Sequence, residues 1–518
     1  MDEETGRARL AYGTTKLDAR RPDYERRVDY YEGRHKLPYA PPGVSEEYLE
    51  LRQQAPANWC AMAINAPLQR LRGEGIRTNT TGEVDSALWR DAWQANHLDA
   101  RQRIVYVDMF MHGQAVVSVW PDEDTGGVRI RPESWRTTYV NVDPEDAFAH
   151  DWALRSYVVK GVTVEGPLPG ASTTTADLYV ATVFDADSWM RFEKGGDTGF
   201  ADWTVVDSGA HDLGEVPFLV FTYLPNAEGD GQSALDPLIP AQDAINTIRF
   251  DTLLAMQFAA YRQRVFTGYD PVVRDENGDP VFLKDSDGNP VIDPGTGLPK
   301  PVLNSPGRLG VDRALVFPGA DTKVFDLNES NLSNYITVLG EFLSDFFAIA
   351  QVPPQYLLNR MSNLSGDALA GAESTLASLV RDLQTAAGEA WEAVLRLANR
   401  VLGTSADDVS SELIWGDGEA RSFAQVVDAI VKLATTGFPK RAQWELIPGA
   451  TLQKVDRWMQ LAEEEQAGSL TSLLGLQAAQ GAVPGATPAG VDEGATGVVA
   501  DTANDLLAQA GTLPASGS

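Results

Sequence analysis

The residue types that could do chemistry are few and poorly placed for it. The five histidines, His35, His97, His112, His150 and His211, never stand at the i,i+3 or i,i+4 spacing that puts two imidazoles on one helix face, although ligands could still converge in space. Cys60 is the sole cysteine, so no internal disulfide can form, and a reducing compartment such as cytoplasm suits assembly. Beside Trp59 in an apolar segment, it reads as a small buried residue rather than a nucleophile. The string Asp285-Ser286-Asp287-Gly288-Asn289 matches the first half of a calcium loop. It then departs, with Pro290 where the loop needs Gly and Thr296 where it needs a bidentate Glu, so a plain turn is the better reading.

Paired carboxylates such as Asp122 with Asp124, or Glu463 with Glu464 and Glu465, have the groups for general acid–base work. In a chain with 73 Asp and Glu, solvated surface is the simpler explanation. No Gly-Lys dipeptide occurs, which removes the phosphate-cradling P-loop, and neither G-x-G-x-x-G, H-E-x-x-H nor G-x-S-x-G is found. The sequence is read as that of a non-enzyme with no cofactor and no bound metal.

At 518 residues the chain is too long for one core, and at about 100–200 residues per domain it holds roughly three to five units. With 43% hydrophobic and 9% aromatic residues, most of it can bury a core. Forty-two Lys and Arg against 73 acids give a formal charge of −31, which argues against a binder that grips phosphates with basic patches. It fits a protein that lets DNA slide past, because like-charge repulsion acts within about one Debye length, roughly 10 Å at 0.1 M salt, and it fits as well a protein that is acidic for solubility alone. The start, MDEETGRARL, lacks an apolar signal core, and the longest apolar run, Ile336 to Val352, is broken by Glu341 and Asp345. It is shorter than the roughly 20 residues of a membrane span, so no bilayer crossing is expected.

The elements that must position any site follow from periodicity. Residues 1–100 read as mostly helical, interrupted by Pro-rich Leu37 to Gly43. From Arg103 the runs IVYVDMF, QAVVSVW and VRIRP predict a β-rich unit that continues through YVATVF and WTVV to Phe221. Asp236-Pro237 predicts an N-cap and first helical residue, opening a glycine-free helix to Val265 whose apolar residues spread over more than one stripe. Such a helix needs neighbours, in this subunit or another. Between Gly268 and Phe325 the pieces Gly278-Asp279-Pro280-Val281 and Gly288-Asn289-Pro290-Val291 predict successive β-turns in a small β module. A second apolar helix, Leu332 to Ala350, is stopped by Val352-Pro353-Pro354. A long helix then spans Asp367 to Leu402, and shorter ones Phe423 to Thr435 and Leu452 to Glu465. After Arg457 there is no Lys or Arg, and from about Gly468 the Ala-, Gly-, Thr- and Pro-rich chain predicts a flexible tail with at most a short helix near Asp505-Leu506-Leu507.

Two helices flanking an inserted small module must return to the same place, which predicts an antiparallel pair with the insert at one end. On this order of elements the sequence resembles the portal proteins of long-tailed phages, especially phages of actinobacteria. The resemblance is carried by Tyr30-Tyr31-Glu32-Gly33, Asn58-Trp59-Cys60, Arg70-Leu71, Gly75-Ile76-Arg77, Ser233, Asp243-Ala244-Ile245-Asn246, Arg264-Val265 with Gly268, Val352 to Leu357, Ser365 to Ala370, and Trp444 to Gly449. Together these cover about residues 24–465.

The resemblance implies an α+β, mainly helical multi-domain portal architecture. Its parts would be a wing (1–234, helical and then β-rich, with the long helix 367–402), a stem (235–267 and 329–350), a small turn-rich β clip (268–328), a channel loop (351–366), a crown (403–467) and a tail (468–518). It further implies a homo-oligomeric, dodecameric ring at one capsid vertex of the virion, assembled in host cytoplasm. Partners would be double-stranded DNA, held non-specifically and transiently, the terminase large subunit, the head-to-tail adaptor, and the major capsid and scaffolding proteins. The channel loop residues Gln351, Pro353, Tyr356, Leu357, Asn359, Arg360 and Asn363 would face DNA. Arg360 either touches phosphates transiently or pairs with a neighbouring acid, and Tyr356 and Leu357 either face the channel or pack under the loop. The clip residues Asp275, Asn277, Asp285, Asp287 and Asn289 would meet motor and adaptor. The rival readings are another virion structural protein, of tail or baseplate, and an acidic hydrolase with a deep pocket.

Overall fold

The computed structural model describes residues 1–40, 46–78, 85–143, 145–146, 148–164, 174–195, 203–260, 264–267, 272–303, 323–326, 332–353, 366–403, 410–416, 423–447, 449–450 and 454–467. The chain divides into two compact units, residues 1–428 and 429–518. Mixed helix and sheet is what the pattern of periods implied.

The first unit begins with α1 (Glu3–Glu32), capped by Asp2, whose carboxylate accepts from the Thr5 amide at 2.8 Å. Gly33 ends it in the left-handed region, φ 83°, a conformation that costs glycine nothing. Next come α2 (Glu46–Gln54), α3 (Trp59–Leu68), β1 (Gly73–Arg77), and α4 (Ser86–Leu88) running into a π-helical turn, Trp89–Gln94. Then follows α5 (Leu98–His112). This corrects the strand expected for IVYVDMF: the run is helical, and it looked β-like because Val105, Tyr106, Met109, Phe110 and Met111 are buried on most sides of α5.

The β-rich part holds two antiparallel sheets. Strands β2 (Gln114–Asp122), β3 (Gly127–Glu133) and β9 (Phe218–Thr222) form the order β3-β2-β9. Strands β4 (Thr138–Val142), β5 (His150–Val164), β6 (Thr174–Phe184), β7 (Ser188–Gly195) and β8 (Thr204–Ala210) form a meander in sequence order. One face of the meander buries Leu154, Ala181, Val183 and Phe192 against Leu10 and Leu17 of α1. Gly13 allows that approach, since a Cβ there would run into the Leu154 side chain. The other face meets the smaller sheet through Ala153, Val116, Val216 and Phe218.

After β9 come α6 (Ile239–Ala260), β10 (Arg264–Thr267), β11 (Lys323–Asp326), α7 (Leu332–Ile349), α8 (Gly366–Leu402) and β12 (Glu412–Trp415). The largest core gathers α3, α5, the small sheet and α8, with Trp93, Tyr106, Phe221 and Trp391 fully buried. The Trp391 indole donates to the Tyr106 hydroxyl at 3.1 Å, that hydroxyl donates to Gln102 Oε1 at 3.0 Å, and the Gly73 amide donates to the same Oε1 at 2.9 Å. This line ties α8 to α5 and β1, and β12 completes the tie by pairing antiparallel with β1, Ile76 opposite Leu413.

Helix α9 (Phe423–Thr435) spans the boundary between the units, and the second unit contains α10 (Lys440–Glu445) and a last helix, residues 454–467. Arg441 of α10 pairs with Asp456 of that helix at 2.7 Å. The tail from Gly468 lies outside the described residues. No described helix is long and apolar enough to cross a membrane.

Candidate functional site

Helices α6 and α7 pack on each other, and each has one end in the main core: Ile239 and Ile245 of α6, Phe346 and Phe347 of α7. Their other ends lead into β10 and β11, which pair antiparallel with Val265 opposite Phe325 and Phe266 opposite Val324. The chain therefore runs out along α6 and back along α7, as the order of elements predicted, and the described insert residues 272–303 fall in sequence between β10 and β11. Two boundaries differ. Helix α6 is described to Ala260, and Arg264 and Val265, expected to be its end, belong to strand β10. It also begins at Ile239 rather than Pro237, because the Asp236 carboxylate is taken by Arg27 of α1 at 2.6 and 3.0 Å. The Ser233 hydroxyl instead accepts from the Leu235 and Asp236 amides, at 3.1 and 3.2 Å, and donates to the Met111 carbonyl at 2.6 Å.

The root of α6 is held by a buried polar network. Gln242 Oε1 accepts from the Trp59 amide at 3.1 Å, while its Nε2 donates to the Ala57 carbonyl and to Asn246 Oδ1, both at 2.8 Å. Asn246 Nδ2 lies 3.2 Å from His35 Nδ1, and His35 stacks on Tyr30 with ring centroids 5.0 Å apart. The Tyr30 hydroxyl donates to Asp243 at 2.6 Å; burial and then this bond push its pKa well above the ordinary phenol value. Burial likewise pushes the Cys60 thiol up to about 12, which leaves it un-ionised and unreactive at neutral pH. Three segments that carried the resemblance, around Tyr30, Asn58 and Asp243, thus meet at one joint. Sequence reading did not single out Gln242 or His35; the polar Gln242 and Asn246 on the inward side of an apolar helix were the available signal.

Helix α7 is apolar on more than the face it buries. Leu339, Leu343, Phe346 and Phe347 pack inward, whereas Val338, Phe342 and Ile349 form a neighbouring stripe left exposed by this chain, Val338 at 45% and Ile349 at 49%. At its end the Val352 amide reaches back to the Phe347 carbonyl at 3.0 Å, and Gln351 takes the left-handed region, φ 55°. Of the loop residues singled out from the sequence, Gln351 is exposed and Pro353 buried. Tyr356, Leu357, Asn359, Arg360 and Asn363 lie outside the described residues.

The inserted module, described over 272–303, is a set of short antiparallel bridges such as Arg274 with Pro280 and Lys284 with Pro290. The two turns expected there are present. Asp275 Oδ1 accepts from the Asn277 and Asp279 amides at 3.0 and 2.9 Å, Asp285 Oδ1 from the Asp287 and Asn289 amides at 3.0 and 2.8 Å, and Gly278 and Gly288 sit at φ 87° and 86°. The string that resembled half a calcium loop is a turn closed on its own backbone. Asp275, Asn277, Asp285, Asp287 and Asn289 are all exposed on these turns. Among the described residues no three His, Cys, Asp or Glu gather as a metal site.

This arrangement is a two-helix arm rooted in a core, with the α7 stripe and the turns of residues 272–303 exposed in the single chain. A family model described as "Phage portal protein, SPP1 Gp6-like" matches residues 11–468. The chain is similar to the portal protein of Mycobacterium phage D29, 27% identical over 446 residues, and to that of Mycobacterium phage L5, 25% identical over 445, each match covering 82% of both chains. A chain of a solved structure, the neck of an empty GTA particle, aligns at 12% identity and a TM-score of 0.40 over 78% of this chain and 93% of that one.

Proposed function

Because the chain belongs to the SPP1 Gp6-like family of phage portal proteins, a structural and non-enzymatic component of the phage, we propose that copies of it form a dodecameric ring at one capsid vertex through which double-stranded DNA enters and leaves. In this reading α6 and α7 are the stem (235–267 and 329–350), residues 268–328 the clip and 351–366 the channel loop; residues 1–234 with 367–402 make the wing and 403–467 the crown. The observation that carries it is the α7 stripe. Val338, Phe342 and Ile349 are exposed on an arm that the single chain leaves uncovered, and burying them against neighbouring arms is favourable by about 25 cal/mol per Å².

The charge of −31 suits the lumen of such a ring, where acids repel the DNA backbone and keep contacts brief. The exposed turns carrying Asp275, Asn277, Asp285, Asp287 and Asn289 are where the terminase large subunit and later the head-to-tail adaptor would dock. Gln351, Pro353, Tyr356, Leu357, Asn359, Arg360 and Asn363 would supply the DNA-facing loop, and the major capsid and scaffolding proteins would surround the wing. Native mass spectrometry of the purified protein tests the ring. A discrete assembly of many chains supports it, and a population that stays monomeric at every concentration rejects it.

A further inference from the structure

Four arginines of this acidic chain converge on one cleft between the two sheets. On β3, Arg129 and Arg131 alternate with the buried Glu133, so all three share a face. Opposite them, register places Arg155 of β5, Thr182 of β6 and Arg191 of β7 in one row. Between the rows lies a cavity of ≈ 300 Å³, flanked by Trp120 and Tyr157. Glu133 takes Arg155 at 3.0 Å and accepts from the Ser118 hydroxyl at 2.7 Å, Glu193 takes Arg191 at 2.6 Å, and Asp122 takes Arg129. Asp124, at the rim, lies 3.7 Å from Arg129 and is itself 90% exposed. Among the described residues Arg131 has no ion pair, and the Nε of Arg191 is buried without a hydrogen-bond partner.

We propose that this cleft receives a carboxylate side chain from an acidic segment of a neighbouring copy of this chain, held by Arg131 and Arg191. The proposal rests on the ring reading. Of the four guanidiniums, Arg131 alone has no carboxylate partner among the described residues, which matches a single incoming carboxylate and falls short of what a run of phosphates would draw. Copies that each carry −31 repel one another unless an interface supplies local counter-charge. A closed ring also needs an acceptor face distinct from its donor face, because each subunit meets its neighbour head to tail. Arginine is the residue suited to the acceptor role, since its planar fork matches a carboxylate in two hydrogen bonds.

The test uses rings of the full-length Arg131→Lys variant, assembled from mixed ¹⁴N- and ¹⁵N-labelled protein and treated with a carbodiimide, which joins an amine to a carboxylate in contact. The proposal expects peptides in which the introduced lysine is linked to an Asp or Glu peptide of the other isotope. Links confined to one isotope, for example to Glu133 or Asp122, would overturn it. A second arm measures assembly of Arg131→Glu and of Thr182→Glu, the latter placing a carboxylate between Arg155 and Arg191 from within the chain. Each is expected to raise the concentration for half-assembly at least tenfold while the circular dichroism of the monomer is unchanged. Unchanged assembly in both overturns the proposal, as does normal assembly with lost DNA retention, which would assign the cleft to phosphates. Rings of the Arg131→Lys variant that form but lack the cross-isotope link defeat this inference alone, whereas wild-type protein that forms no ring defeats the reading beneath it.

Discussion

The Tyr30 hydroxyl donates to Asp243 Oδ1 at 2.6 Å, joining the end of α1 to the root of α6 across more than two hundred residues of chain. A neutral donor bonded to a carboxylate inside a buried network is worth about 1.5–3 kcal/mol. Tyr30→Phe should therefore lower unfolding stability by that amount, read from urea denaturation, and loosen α6. Hydrogen exchange of α6 amides checks the second effect, and protection unchanged from wild type would remove the joint's assigned role.

Glycine at position 231 is set by contact rather than by taste. A methyl there would lie inside contact distance of the Gly113 carbonyl, which itself accepts from the Tyr223 amide at 2.8 Å. Gly231→Ala forces backbone apart at the junction between α5, β2 and the entry to α6, and is expected to cost about 3 kcal/mol or more. Thermal unfolding decides it.

Trp391 is fully buried and meets Phe221 and Trp93 at 4.9 and 4.8 Å between ring centroids. Trp391→Ala should cost about 3–5 kcal/mol through the cavity it leaves. Tyr106→Phe, which orphans the indole donor, should cost about 1–3 kcal/mol with little loss of packing. A calorimetric scan of both variants checks the order.

His112 is buried, neither ring nitrogen has a hydrogen-bond partner among the described residues, and the ring stacks on Tyr24 at 4.6 Å. Burial, then repulsion from Arg27 and Arg20, depress its pKa to about 3. The unfolded imidazole binds its proton near the ordinary value while the folded one refuses it. Stability is thus full above about pH 6.5 and falls as pH drops towards 3, by at most about 1.4 kcal/mol per unit from this group. His112→Phe, which keeps the stacking, should show a shallower loss than wild type over that window in urea titrations at fixed pH. Parallel curves would mean that His112 is protonated in the folded state.

The α7 stripe separates folding from assembly. Val338 and Ile349 are about half exposed in one chain, so Ile349→Glu should leave the monomer folded, at a cost of no more than about 1 kcal/mol. It should abolish ring formation on size-exclusion chromatography, because a carboxylate would then be buried between arms.

What could be read from residues alone was what repeats locally. The long helix expected from Asp367 to Leu402 is α8, Gly366–Leu402, since a heptad-like run of Leu, Val and Trp over ten turns has no competing period. The helix Phe423 to Thr435 matches α9 residue for residue. The out-and-back hairpin was legible from order, because an insert between two helices forces them to return. The run Ile104 to Phe110 was misread, since burial on most sides of a helix erases its period. Asp236 was misassigned as a cap because its true partner, Arg27, is distant in sequence. The Gln242, Asn246 and His35 network was invisible for the same reason: no local pattern shows which backbone a buried amide will satisfy.

A single-particle reconstruction of the purified protein tests the central claim most directly. The expected density is a closed ring with a central lumen, α6 and α7 of each copy lining it, and Val338, Phe342 and Ile349 covered by the adjacent copy. A closed monomer, or a ring whose α6 and α7 point away from its axis with that stripe still in solvent, would contradict it.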